Sequence, residues 1–171
     1  MQISKRRSDK LKPWDDSPIY LTQEGLNHLR EQLERLKRAL PELIAEAQRT
    51  AAYGDRSDNA EYKEAKSILR RTHSRVFSIQ EQLKRVVIIT PGSDGSGTVQ
   101  LGSTVVLAIE DPGGATHKIF QILGSHETDP AKGRISNQSP LGAALMNHKQ
   151  GETVTIETGS GPQTYRILEI R

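Results

Sequence analysis

The sequence predicts an α+β protein with two parts, a long antiparallel helical hairpin followed by a small strand-rich domain. Three observations carry this. Apolar residues fall at Leu26, Leu29, Leu33, Leu36, Leu40, Leu43 and Ala47, alternating three and four apart, and so draw one narrow stripe along a helix. The same alternation returns at Tyr62, Ala65, Leu69, Thr72, Val76, Ile79, Leu83 and Val86 after a break at residues 54–62. From Thr98 the period changes to short β-rich runs punctuated by glycine and proline. Each stripe is too narrow to form a globular core, and zipping one against the other as an antiparallel coiled coil buries both.

In chain order, residues 1–18 read as a flexible basic tail, with Lys5, Arg6, Arg7, Lys10 and Lys12 and the sole tryptophan, Trp14, between Pro13 and Pro18. The coiled-coil domain spans residues 19–90. Thr22 is the expected N-cap of its first helix, with Glu24 in the first turn. Pro41 sits inside the stripe and removes one backbone hydrogen bond, so a kink or restart is expected near Leu40. Ala45, Ala47, Ala51 and Ala52 narrow the far end. The second helix is expected over residues 58–87, ending in the β-branched run Val86-Val87-Ile88-Ile89, which suits a strand or a docking segment. Residues 91–97 form a linker by composition.

The C-terminal domain, residues 98–171, is expected to hold strands at Val99-Gln100-Leu101, at residues 104–109 and 117–123, and at Thr153–Thr158 and residues 163–170. Ser139-Pro140 reads as an N-cap followed by a first-turn proline for a short helix through Met146. Strands with one covering helix make a small α+β domain.

Composition excludes several functions. With no cysteine among 171 residues there is no disulfide, thiol nucleophile or thiolate metal site. His28, His73, His117, His126 and His148 are scattered without metal-ligand spacing, and no Walker loop, dinucleotide fingerprint or Ser-His-Asp set is present. No run of about eighteen apolar residues crosses a membrane, and no apolar segment follows the basic residues 1–12, so a cytoplasmic location is expected. The net charge is only +3, but residues 63–85 hold seven basic residues against two acidic ones, whereas residues 91–171 hold six against eight. Lys63, Lys66 and Arg70 stack on one helix side, a face that would meet a polyanion or simply remain solvated.

The break itself, Gly54-Asp55-Arg56-Ser57-Asp58-Asn59-Ala60-Glu61-Tyr62, is the candidate site. Asp55 and Asp58 are three apart around a turn, and a hard cation such as Mg2+ takes one or two carboxylates plus water. Residues 58–61 equally fit a capping box at a helix start.

This string resembles the tip signature of the Gre family of bacterial transcript-cleavage factors, Gly-Asp-x-x-Glu-Asn-Ala-Glu-Tyr, and Gly54-Asp55-Arg56-Ser57 looks more like the GreB form than the GreA form. Residues 135–145, with Gly151-Glu152, resemble the family's second signature, and the likeness runs from Ile19 to the C-terminus. The resemblance implies an FKBP-like C-terminal domain and a monomer that binds bacterial RNA polymerase. The coiled coil would enter the secondary channel and stimulate the polymerase to cleave the 3′ end of backtracked RNA. Asp55 and Asp58 would be the catalytic and metal-binding acids, holding a Mg2+ jointly with the polymerase and not in the free protein. Gly54, Asn59, Glu61 and Tyr62 would support the tip, and Arg56 and Ser57 would touch RNA or stay solvated. Lys63, Lys66 and Arg70 would contact the nascent RNA, and Ser139, Pro140 and Leu141 would dock on the polymerase. The family usually has Glu where this chain has Asp58, which opens an alternative, a channel-binding regulator that inhibits without cleavage. An FKBP-like fold also raises prolyl isomerase activity, which the sparse aromatics Phe120 and Tyr165 disfavour.

Overall fold

The computed structural model describes residues 17–53, 58–92, 96–111, 114–159 and 161–171. Strand β1 (Ile19–Leu21) leads into helix α1 (Gln23–Ala51), helix α2 (Ala60–Lys84) returns, and strand β2 (Val86–Ile88) follows. The Thr22 hydroxyl caps α1 by accepting the Gly25 N–H. Helix α1 continues through Pro41 as one element, so the expected restart does not occur. One missing N–H in a 29-residue helix leaves the remaining bonds and the packed stripe intact.

Both stripes face each other. Leu33, Val76 and Ile79 are buried between the helices, flanked by Leu29, Leu36, Leu40 and Leu83, while most intervening positions are exposed. Early α1 meets late α2 at Gln32 and Arg75, and late α1 meets early α2 at Thr50 and Asn59, so the two run in opposite directions. The second helix is shorter than expected, because residues 86–88 leave it for β2. That strand pairs in parallel with β1, Ile19 opposite Val86 and Leu21 opposite Ile88.

The remaining elements are β3 (Thr104–Asp111), β4 (Gly114–Leu123), β5 (Arg134–Ser136), α3 (Pro140–Leu145), β6 (Thr153–Thr158) and β7 (Gly161–Ile170). They form one five-stranded sheet in the order β5-β4-β3-β7-β6. Only the β4–β5 pairing in it is parallel, and the register shifts between Val106 and Leu107 where β3 meets β7. Alternating residues of β3, β4 and β7 bury Val105, Leu107, Ile122 and Ile167, and α3 closes that face with Leu145. The expected strand at Val99-Gln100-Leu101 is absent. Val99 is fully buried, but its N–H and C=O bond the turn at residues 147–148, and Thr98 makes only an isolated bridge to Lys149.

The helices are seated on this domain by close polar contacts. Both Glu127 carboxylate oxygens accept from Thr22, one from its N–H and one from its hydroxyl, each at 2.6 Å. A side chain at Gly25 would overlap that carboxylate, and one at Gly124 would overlap the Tyr20 carbonyl. Arg134 reaches Glu24 at 3.1 Å. Gly124→Ala is therefore expected to push β1 away from the C-terminal domain and lower the thermal midpoint by several degrees, measured by calorimetry, because backbone cannot yield as a flexible side chain does.

Candidate functional site at the helix junction

The far end of the helix pair is shaped by Asn59. Its side-chain oxygen accepts the Tyr62 N–H at 2.9 Å and so caps α2. Its amide nitrogen donates to the carbonyls of Thr50 at 2.8 Å and Tyr53 at 2.7 Å. One short side chain thus satisfies orphan groups at the end of one helix and the start of the next. The expected cap at Asp58 is displaced by one position. Both residues are able to cap, but only the amide also donates, and two carbonyls await it. Asn59→Ala leaves those groups to water and is expected to cost about 1–2 kcal/mol, read as a lower denaturation midpoint and faster amide exchange at Tyr62.

Asp58, freed from capping, is exposed beside this junction, as is Glu61 one turn on. Gly54, Asp55, Arg56 and Ser57 lie outside the described residues. Tyr62 is half-buried, and the Lys66 ammonium lies 5.5 Å from its ring centroid, a cation–π contact that steadies the first turn of α2. Lys63, Lys66 and Arg70 line one surface groove with Leu69 and His73, so the structure gathers the three basic residues on one side of α2. At the last turn of α1, Arg49 bonds Glu46 at 2.6 and 2.9 Å. Those hydrogen bonds hold the Glu46 carboxyl below its ordinary range and raise the Arg49 guanidinium further. Tyr53 is largely exposed beside them.

A hard cation takes several oxygen ligands. Asp58 offers one or two oxygens, and among the described residues no three His, Asp or Glu side chains come together as a cage. Ser139, Pro140 and Leu141 sit at the start of α3. Ser139 caps it by accepting the Gly142 N–H and donates to Ser136, Leu141 packs on the sheet core, and Pro140 is exposed.

Paired helices with an exposed acid at their far end, seated on a strand-rich base, define a rod-and-base architecture. Two family models match, "Transcription elongation factor, N-terminal" over residues 19–88 and "Transcription elongation factor, GreA/GreB, C-term" over residues 94–171. The chain belongs to the GreA/GreB family of transcription elongation factors. It is 39% identical to transcription elongation factor GreA of Thermomicrobium roseum, over 90% of this chain and 97% of the relative. It is 35% identical to GreA of Clostridioides difficile, over 92% and 98%. Among solved structures, GreA factor homolog 1 (Gfh1) of Thermus thermophilus is 30% identical, with 90% and 99% coverage and a TM-score of 0.39. These two sequence relatives are named GreA, and the likeness to GreB rests on residues 54–57 alone. No helix among the described residues is long and apolar enough to cross a membrane.

Proposed function

We propose that this elongation factor binds bacterial RNA polymerase, passes its helix pair down the secondary channel as a coiled coil, and stimulates Mg2+-dependent cleavage of the 3′ end of backtracked RNA. It is a cofactor of the polymerase's own hydrolytic activity and not a complete enzyme, and its C-terminal domain is FKBP-like. The observation that carries this reading is the junction of two long paired helices, where Asn59 ties the end of α1 to the start of α2 and Asp58 is exposed. At about 1.5 Å per residue, α1 sets that junction roughly 43 Å from the base.

In the complex, Asp55 and Asp58 would contribute carboxylates to a Mg2+ ligand set shared with the polymerase. Mg2+ held there would supply charge neutralisation for phosphodiester hydrolysis. Asn59 fixes the approach of the two helices, and Glu61 and Tyr62 stiffen the first turn behind it. Lys63, Lys66 and Arg70 hold the extruded RNA through its phosphates, without reading sequence. Pro140 and its neighbours in α3 face the polymerase at the channel rim.

The test adds the protein and Mg2+ to stalled, backtracked transcription complexes carrying RNA labelled at its 5′ end. Shortened RNA is expected. Polymerase binding with intact RNA would instead identify a channel-occupying inhibitor and overturn the cleavage assignment.

A further inference from the structure

A cleft of about 470 Å³ lies where the base of the helix pair meets the C-terminal domain, within the range of small-molecule sites. Three parts of the fold wall it. Helix α1 contributes His28 and Arg35, α2 contributes Arg75, and the segment from β4 to β5 contributes His126 and Arg134. His28 and Arg35 are seven residues apart and so share a helix face. The sole acidic lining residue is Glu127, and both of its oxygens already accept from Thr22. Arg35 has no hydrogen bond or ion pair among the described residues. Arg75 donates one N–H to Gln32 at 3.2 Å. Arg134 pairs with Glu24, a partly exposed contact of the kind that yields to a better anion.

We propose that this cleft binds the diphosphate group of a small molecule. Three arginines from three elements line one cleft, against the single carboxylate of Glu127 in its wall and Glu24 at Arg134. Arginine forks match phosphate oxygens two at a time, and two linked phosphates present enough oxygens for all three to be met in that way. The imidazoles of His28 and His126 supply further donors at the rim. The cleft shares no lining residue with the groove of Lys63, Lys66 and Arg70 nearer Asp58.

Isothermal titration of the full chain with inorganic pyrophosphate, and separately with a nucleoside diphosphate, tests this at about 0.15 M salt without metal. Pyrophosphate alone binding assigns a free diphosphate, and tighter binding of the nucleotide assigns a base-bearing ligand. The Arg35→Gln/Arg75→Gln double variant is expected to weaken binding about tenfold or more. A Lys118→Gln/Arg166→Gln variant, which removes the same charge from exposed positions on the C-terminal domain, should change it less than about twofold. Thermal midpoints of both variants establish that they fold. Equal weakening by the two variants overturns the proposal in favour of general electrostatics. Failure of both diphosphates to bind, or binding of a single-stranded oligonucleotide alone, also overturns it.

Discussion

Asp55→Ala is expected to reduce factor-stimulated RNA cleavage on the order of 10²-fold or more while leaving polymerase binding nearly unchanged. Metal-assisted hydrolysis depends on ligands held within a fraction of an ångström, and a missing carboxylate is a larger fault than a displaced one. Affinity should persist because the helices, the basic face and the C-terminal domain are untouched. Asp58→Glu supplies the complementary measurement. Glutamate is longer by one methylene, about 1.5 Å of reach, and matches the form the resemblance leads one to expect. A faster rate with Asp58→Glu would show that the shorter acid limits the native factor; a slower rate would show that the tip is built around aspartate. Loss of binding in Asp55→Ala would instead mean that the acid seats the factor.

The second large effect concerns the sheet. Leu107 is fully buried on β3 among Val105, Ile122, Leu145 and Ile167, and β3 has a bonded strand on either side. Leu107→Ala removes apolar atoms and leaves a cavity that flanking strands cannot close without breaking their ladders. A loss of about 3 kcal/mol is expected, a sizeable part of the roughly 5–15 kcal/mol that holds an ordinary domain. Denaturant titration followed by circular dichroism checks it. If the helical signal persists while the sheet unfolds, the two parts melt separately, and two transitions replace one.

Periodicity made the helices legible, since every stripe position from Leu26 to Leu83 that the three-and-four alternation picks out is buried or half-buried. Local chemistry also placed the caps at Thr22 and Ser139, because each needs only its own next turn. What escaped notice depends on partners far along the chain. Strands β1 and β5 have three residues each and carry no local signal, and the run at Val86 that suits a strand finds its partner only in β1. Glu127 lies 105 residues from Thr22, and no local pattern announces their contact. At the junction, Asp58 and Asn59 both look like caps, and the choice between them is made by the carbonyls of Thr50 and Tyr53. The arginine cleft is assembled from three separated segments and has no linear signature at all.

The parallel pairing of β1 with β2 has a mechanical consequence. Because the chain enters and leaves the helix pair side by side, both ends of the hairpin are riveted to one small platform, and Glu127 bolts that platform to the sheet. Aim, and not merely stability, is at stake there. Tilting a lever of roughly 43 Å by about 5° swings its free end through about 4 Å, more than the length of a hydrogen bond. A single weakened fastening at Thr22 would therefore be read out at Asp58 as a miss, long before it registered as unfolding.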